Sequence, residues 1–214
     1  ADAMDISLKL DKLKELCKDC TDSICRQKEI LVVSHVDADG LTAAAIICAA
    51  LDRHNIDYKP LFFRQLDENA LEEVADHGAD LVIFTDLGSG MIQEILERNL
   101  QAIVADHHKP KACPAQPLAH INPHLVGADG ANQLSGSGSA FLLARALASS
   151  PGANDDLAAL AVVGAVGDLQ DMASGQLIGL NRYILDIGSR AGAVHFSRDI
   201  KLFGKQTRPV YKML

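Results

Sequence analysis

Histidine and aspartate residues alternate directly after the first apolar segment of the chain. Residues 30–33 are apolar, His35, Asp37 and Asp39 follow at every second position, and residues 41–54 have the pattern of a buried helix. Imidazole and carboxylate groups are common ligands of divalent cations, and α/β folds bind ligands at the carboxyl ends of parallel strands. The spacing therefore predicts a metal site at this strand end. The alternative is a turn whose aspartates only cap the helix, but one cap needs only one carboxylate.

The same residue types recur after later apolar segments. Segments 81–85 and 102–105 predict buried parallel strands, and segment 155–166 predicts a helix. The residues that follow these three segments are, in order, Asp86; Asp106, His107 and His108; and Asp168. Carboxylates gathered at one sheet edge repel one another. Two divalent cations about 3.5–4 Å apart, bridged by one carboxylate, relieve this repulsion, and mixed carboxylate and imidazole ligands favour manganese or magnesium.

Strand and helix patterns alternate along the chain. Strands are predicted at 30–33, 58–63, 81–85 and 102–105, and a short apolar stretch follows at 118–121. Helices are predicted at 5–19, 41–54, 69–77, 91–98, from the Ser/Gly stretch 135–139 through 147, 155–166 and 176–190. The alternation predicts an α/β protein with a doubly wound, mainly parallel sheet and helices on both faces.

Composition limits the class of protein. The 214 residues are 48% hydrophobic, which suffices for one large domain or a domain with a fragment. No apolar run approaches the ~20 residues that cross a bilayer, so no membrane association is expected. Five cysteines form no disulfide framework, so a cytoplasmic location is expected. Cys17, Cys20 and Cys25 resemble part of a zinc site that lacks a fourth ligand.

The motifs resemble a known superfamily. His35-x-Asp37-x-Asp39-Gly40, the single Asp86, Asp106-His107-His108 and Gly167-Asp168 resemble, in order, the four motifs of the DHH phosphoesterase superfamily. Their spacing, with residues 202–209, is most similar to archaeal RecJ-type single-strand exonucleases. The resemblance implies a DHH domain at 30–200 and, at 201–214, the start of a connector to a C-terminal substrate-binding subdomain whose glycine-rich motif is not found. Residues 1–29 are interpreted as an N-terminal helix after a cloning remnant at 1–3.

The resemblance also implies a role for each motif residue. One of two manganese ions, or magnesium in their place, is expected on His35, Asp37 and Asp86. The second is expected on Asp39, Asp86, His107 and Asp168, with Asp86 as the bridge. Asp106 is expected to orient His107. His108 is expected to face the scissile phosphate, which a metal-activated water attacks.

Weaker patterns suggest substrate contacts. Backbone N–H groups at the start of a helix bind phosphate, which makes Ser135, Gly136, Ser137 and Gly138 candidates. His124 and His120 are candidates to line the cleft from the loop after the DHH motif. Lys201, Lys205, Arg208 and Lys212 form a basic stretch that either follows a nucleic-acid backbone or is a solvated tail.

The resemblance implies a metal-dependent exonuclease that degrades single-stranded DNA or RNA from the 5′ end, with replication-complex proteins as further partners. The net charge of −8 argues against a surface coated for nucleic acid, although bound cations reverse the local sign. A small-substrate phosphoesterase, of the oligoribonuclease, phosphoadenosine-phosphate phosphatase or family II pyrophosphatase type, is one alternative. A replication scaffold with weak activity is another, although every ligand position is filled.

Overall fold

The computed structural model of the protein describes residues 3–197 and 209. Its sheet contains the strands β1 (Glu29–His35), β2 (Asp57–Phe63), β3 (Val82–Thr85), β4 (Ala102–Ala105) and β5 (Ala119–Ile121). The strand order is β2-β1-β3-β4-β5, and every neighbouring pair is parallel. This confirms the predicted parallel α/β architecture. The basic stretch from Lys201 to Lys212 lies outside the described residues.

Helices cover both faces of the sheet. They are α1 (Ala3–Cys25), α2 (Ala38–Arg53), α3 (Glu68–Asp76), α4 (Ile92–Glu97), α5 (Gly136–Ala146), α6 (Ala158–Gly167) and α7 (Gly179–Arg190). Successive strand side chains point to opposite faces, so Ile30 and Val32 join the core beneath α1, α2, α5, α6 and α7, whereas Leu31 and Val33 join the core beneath α3 and α4. The alternation in β1 therefore builds two cores.

Helix α1 is longer than the predicted helix at 5–19. It continues to Cys25, and it buries Cys17 and Cys20 in the larger core while Cys25 is exposed. Burial raises the pKa of Cys17, and it raises the pKa of Cys20 to about 12. Within the described residues, the ligand clusters suited to a metal ion include no cysteine. The suggestion of a zinc site at these thiols is therefore wrong, because Cys17 and Cys20 pack in the hydrophobic core.

The bounds of other helices also differ from the predicted ones. Helix α2 begins at Ala38 rather than residue 41, because the Asp37 carboxylate caps it by accepting the N–H of Gly40 at 2.9 Å. The segment 155–166 divides into a 3₁₀ turn, Asp155–Leu157, and α6. Among the described helices, none is long and apolar enough to cross a membrane.

The packing of α1 predicts a difference in thiol reactivity. In the native protein, Cys25 should react with iodoacetamide while Cys17 and Cys20 react at least about 100-fold more slowly, because both are buried and the thiolate is the nucleophile. Timed labelling followed by peptide mass spectrometry measures the rates, and labelling in urea is the control in which all three react. Equal native rates at Cys17 and Cys25 would contradict the packing of α1.

Candidate metal centre

The site lies where the chain reverses its direction across the sheet. From β1 the chain crosses to the edge strand β2, whereas from β3 it proceeds to β4 and β5 on the other side. Such a reversal opens a crevice at the carboxyl ends of the two central strands. His35 ends β1, Asp86 follows β3, and Asp106 follows β4. The strand order therefore brings residues from separate motifs to one crevice.

His35, Asp37 and Asp86 form the first ligand group, with one ligand atom from each lying within 4.8 Å of the others. Nδ1 of His35 lies 2.9 Å from Oδ2 of Asp37 and 3.7 Å from Oδ2 of Asp86. Nε2 of His35 lies 3.0 Å from the carbonyl of Arg64. Because a carbonyl only accepts, Nε2 carries the proton, and the lone pair of Nδ1 faces the two carboxylates.

Asp39, His107 and Asp168 form the second ligand group. Nε2 of His107 lies 3.8 Å from Asp39, 3.8 Å from Asp168 and 3.2 Å from Oδ1 of Asp86. Its Nδ1 donates to the carbonyl of Gly130 at 2.7 Å, which leaves Nε2 free to ligate. The two oxygens of Asp86 thus face different groups, Oδ2 the first and Oδ1 the second.

Two buried atoms fit a cation at this centre. Among the buried side-chain polar atoms of the described residues, Nδ1 of His35 and Oδ1 of Asp86 lack a hydrogen-bond partner. An unpaired buried acceptor is costly unless a cation compensates it. Asp86 also has a left-handed backbone (φ 56°), a strain typical of functional sites. The donor set of mixed carboxylate and imidazole groups suits manganese or magnesium.

Electrostatics at Asp86 also favour a cation. Burial raises the pKa of Asp86 to about 8, and the neighbouring charges of Asp39 and Asp106 act in the same direction. For His107, burial alone lowers the pKa, but its contacts with Asp86 and the Gly130 carbonyl outweigh this and raise it to about 10. The cluster therefore retains protons near neutral pH, and a bound cation must displace them.

The start of helix α5 holds Asp39. The N–H of Gly136 donates to Oδ2 of Asp39 at 2.7 Å, and the N–H of Ser137 donates to Oδ1 at 3.0 Å. The partial positive charge of a helix N-terminus stabilises a buried carboxylate. Each oxygen keeps a second lone pair, so Asp39 remains able to ligate a metal.

The prediction that Ser135, Gly136, Ser137 and Gly138 bind phosphate is therefore wrong for their backbone N–H groups. The N–H of Ser135 donates to Asn181 at 3.2 Å, and that of Gly138 donates to the hydroxyl of Ser135 at 3.0 Å. All four N–H groups thus have acceptors within the chain. The stretch is a helix N-terminus, as predicted, but its anion is the side chain of Asp39.

Two glycines permit this close packing. A Cβ at Gly136 would lie 2.4 Å from Oδ1 of Asp86, and a Cβ at Gly164 would lie 2.5 Å from Oδ1 of Asp39. Both distances are shorter than van der Waals contact, so any larger residue would displace a carboxylate. The absence of side chains at these positions lets α5 and α6 approach the centre.

Asp106 contacts both of the histidines that follow it in the chain. Its Oδ1 accepts the backbone N–H of His107 at 2.7 Å and the ring Nδ1–H of His108 at 2.8 Å. Asp106 thus holds the backbone of His107, as expected, whereas the carbonyl of Gly130 holds the ring of His107. Burial alone raises the pKa of Asp106, but hydrogen bonds from His108 and the backbone keep it well below its usual range. The hydrogen bond to Asp106 raises the pKa of His108.

Sequence reasoning missed Gln170 and Asn181. The Gln170 amide donates to the Gly130 carbonyl at 2.8 Å and to Oδ2 of Asp168 at 2.9 Å, and it accepts from Asn181 at 2.6 Å. Both amides are buried. Gln170 thereby fixes Asp168 and the carbonyl that holds His107. In the sequence, the only feature that points to Gln170 is its position two residues after Asp168.

The two remaining candidates, His120 and His124, differ in their exposure to solvent. His120 is buried and lies 2.8 Å from the hydroxyl of Ser89, and burial lowers its pKa. His124 is exposed in a 3₁₀ turn, Pro123–Val126, whose first residues Asn122 caps. Neither belongs to the ligand groups found among the described residues. Both line a cavity beside the DHH motif.

The chain belongs to the DHH family: residues 29–165 match the family described as "DHH family, N-terminal domain". Its DHH domain is related to those of the RecJ exonucleases. It is 33% identical over 177 residues to an uncharacterized protein of Methanocaldococcus jannaschii, covering 80% of this chain and 39% of that protein. The predicted domain boundaries of 30–200 stay a prediction.

The RecJ relatives are longer proteins. The single-stranded-DNA-specific exonuclease RecJ of Thermus thermophilus is 33% identical over 172 residues, covering 76% of this chain and 26% of that protein. A crystal structure of exonuclease RecJ bound to manganese matches with a TM-score of 0.66 and 28% identity, over 82% of this chain and 46% of that one. The chain thus spans less than half the length of these relatives.

The raised pKa of Asp86 predicts how metal affinity depends on pH. Manganese affinity should increase from pH 6 to 8, by about tenfold per pH unit for each proton displaced, because ligands bind only when deprotonated. Titration calorimetry in buffers of different ionisation enthalpy measures both the affinity and the protons released. An affinity that is constant over this range would contradict the assignment of a proton to the cluster.

The contacts of Gln170 predict a positioning role. Gln170→Ala should weaken manganese binding about 10- to 100-fold, since residues that orient ligands typically contribute this much. Gln176→Ala, an exposed glutamine in the same turn region, is the matched control and should leave the affinity unchanged. If both variants bind manganese as the wild type does, Asp168 does not depend on the amide of Gln170.

Proposed function

We propose that the chain hydrolyses phosphodiester bonds of single-stranded nucleic acid from an end, as a metal-dependent exonuclease. The observation that carries the proposal is the pair of ligand groups that meet at Asp86. His35, Asp37 and Asp86 would hold one manganese or magnesium ion, and Asp39, Asp86, His107 and Asp168 the other. Such ions, when bound, neutralise phosphate oxygens and lower the pKa of a water nucleophile. The likeness to RecJ, whose name specifies single-stranded DNA, supports this substrate.

Exposure around the centre supports access from one side. The side chains of Asp39, Asp86 and His107 are buried, whereas those of Asp37 and His108 are 48% and 58% exposed. A phosphate therefore approaches between Asp37 and His108, and the inner carboxylates remain shielded from bulk water. Shielding strengthens electrostatic interactions with the phosphate.

In this proposal His108 acts on the substrate. Its Nδ1–H is bound to Asp106, which leaves Nε2 for a phosphate oxygen. The Asp106 carboxylate stabilises the imidazolium and raises the pKa of His108, so the ring is more often protonated near neutral pH. Nε2–H then donates to a phosphate oxygen as negative charge develops, or delivers its proton to the departing oxygen.

A small-substrate phosphoesterase is the second candidate. Single-stranded polymers are usually held by aromatic side chains on which bases stack, and this chain has no tryptophan and only 4% aromatic residues. The composition favours short substrates over long ones. Association with replication proteins stays a prediction from the sequence.

The role of Asp86 predicts the effect of its removal. With manganese, the chain should hydrolyse bis(p-nitrophenyl) phosphate, and Asp86→Ala should reduce the rate more than ~100-fold, since ligand loss exceeds the effect of losing an orienting residue. Asp80→Ala is the matched control, because Asp80 is exposed at the opposite end of the same strand region. A folded Asp86→Ala variant with the wild-type rate would exclude this centre as the site of hydrolysis.

An exonuclease needs a free end of the strand, so circular single strands should resist hydrolysis. End-labelled linear single-stranded DNA and RNA should release mononucleotides first, while a sealed single-stranded circle of equal sequence stays intact. Gel and chromatographic analysis of the products distinguishes the candidates. Cleavage of the circle would contradict an exonuclease, and hydrolysis of dinucleotides alone would favour the small-substrate alternative.

A further inference from the structure

The cavity beside the DHH motif has a volume of about 510 Å³. Its polar lining comes from Lys109, Lys111, Gln116, His120 and His124, with Cys113 between them. None of the described lining residues is acidic, although the chain carries a net charge of −8. We call this cavity the lysine pocket. Its local charge is opposite to that of the protein as a whole, which favours an anionic ligand.

Hydrogen bonds connect the lysine pocket to the DHH motif of the metal centre. Asn122 donates one amide N–H to the hydroxyl of Ser89 and the other to the carbonyl of His108, both at 2.9 Å. Ser89 in turn contacts His120, which lines the pocket, and donates its backbone N–H to Asp106. Hydrogen bonds therefore join the pocket lining to the DHH motif.

His124 lines the lysine pocket and also lies close to Gly130. A Cβ at Gly130 would lie 2.8 Å from Nε2 of His124 and 2.0 Å from the carbonyl of His107. The imidazole of His124 thus adjoins the backbone segment whose carbonyl holds His107. On the other side of the DHH motif, Lys109 directly follows His108 in the chain. Along the chain, the lining of the lysine pocket therefore begins directly after the DHH motif.

We infer that the lysine pocket binds a second phosphate of the nucleic-acid strand, next to the phosphate that is cleaved, through Lys109, Lys111 and His124. The inference rests on the proposed function. The acidic centre accepts a phosphate only with cations, whereas the lysine pocket offers permanent positive charge for the neighbouring one. The pocket therefore selects substrates with at least two consecutive phosphates over single phosphodiesters.

A double substitution tests this inference on the holoprotein with manganese. The probe is a fluorescent phosphorothioate oligothymidine, and anisotropy measures its affinity across a series of salt concentrations. Lys109→Gln/Lys111→Gln should bind the probe about tenfold more weakly at low salt. The slope of log K against log[salt] should also fall by about 0.7, the value for one phosphate contact in a single strand.

Lys12→Gln/Lys28→Gln is the matched control, because it removes the same charge at exposed positions on α1 and directly before β1. It should keep the wild-type slope. Equal slopes in wild type and Lys109→Gln/Lys111→Gln would overturn the inference, and so would an equal loss in both double variants, which would indicate a general charge effect.

Cysteine labelling gives a second readout. Bound oligonucleotide should protect Cys113, which lines the lysine pocket, from iodoacetamide, while the exposed Cys25 on α1 reacts as before. Binding by the wild type without protection of Cys113 would overturn this inference and leave the proposed function in place. If the wild type binds no oligonucleotide but hydrolyses a small phosphodiester, the nucleic-acid function fails as well.

Discussion

The structure depends on two neighbouring carboxylates, Asp39 and Asp86, that are buried at the carboxyl edge of a parallel sheet. Two adjacent charges in a poorly solvated interior repel each other and lose hydration. Asp39 is compensated by the N-terminus of α5. Asp86 faces the ring of His107 at 3.2 Å, but its raised pKa indicates that burial still disfavours its charged form. A divalent cation between the ligand groups would complete the compensation, which links the stability of this region to its chemistry.

Backbone groups around the metal centre hold its histidine side chains in position. Carbonyls of Arg64 and Gly130 hold the far nitrogens of His35 and His107, so that each ring turns its other nitrogen toward the carboxylates. Gly136 and Gly164 let helices approach the carboxylates more closely than any other residue would permit. Because most ligands already have fixed positions, little reorganisation is needed when cations bind, and preorganised charge is the main source of catalytic stabilisation.

The surface around the centre is asymmetric. Deep carboxylates form the floor, His108 and Asp37 form the opening, and the lysine pocket lies beside the DHH motif on a protein that is otherwise acidic. This arrangement favours a chain of phosphates that enters from one side, with one phosphate at the centre and another at the lysines. Family membership establishes a DHH domain, and the surface charge supports the proposal that this domain acts on a strand with consecutive phosphates.

The sequence by itself determined the α/β fold and the residues at the strand ends, because apolar periodicity and the residues that follow each strand are local properties. It also indicated a helix N-terminus at Ser135, but it could not assign the anion there, since Asp39 is 97 residues from Gly136. Only the tertiary structure decided that Gly130 holds His107, that Asp106 orients His108, and that Gln170 supports Asp168. The contacts of His107 and Asp39 depend on where distant backbone groups point once the helices have packed on the sheet, and no local pattern encodes that direction.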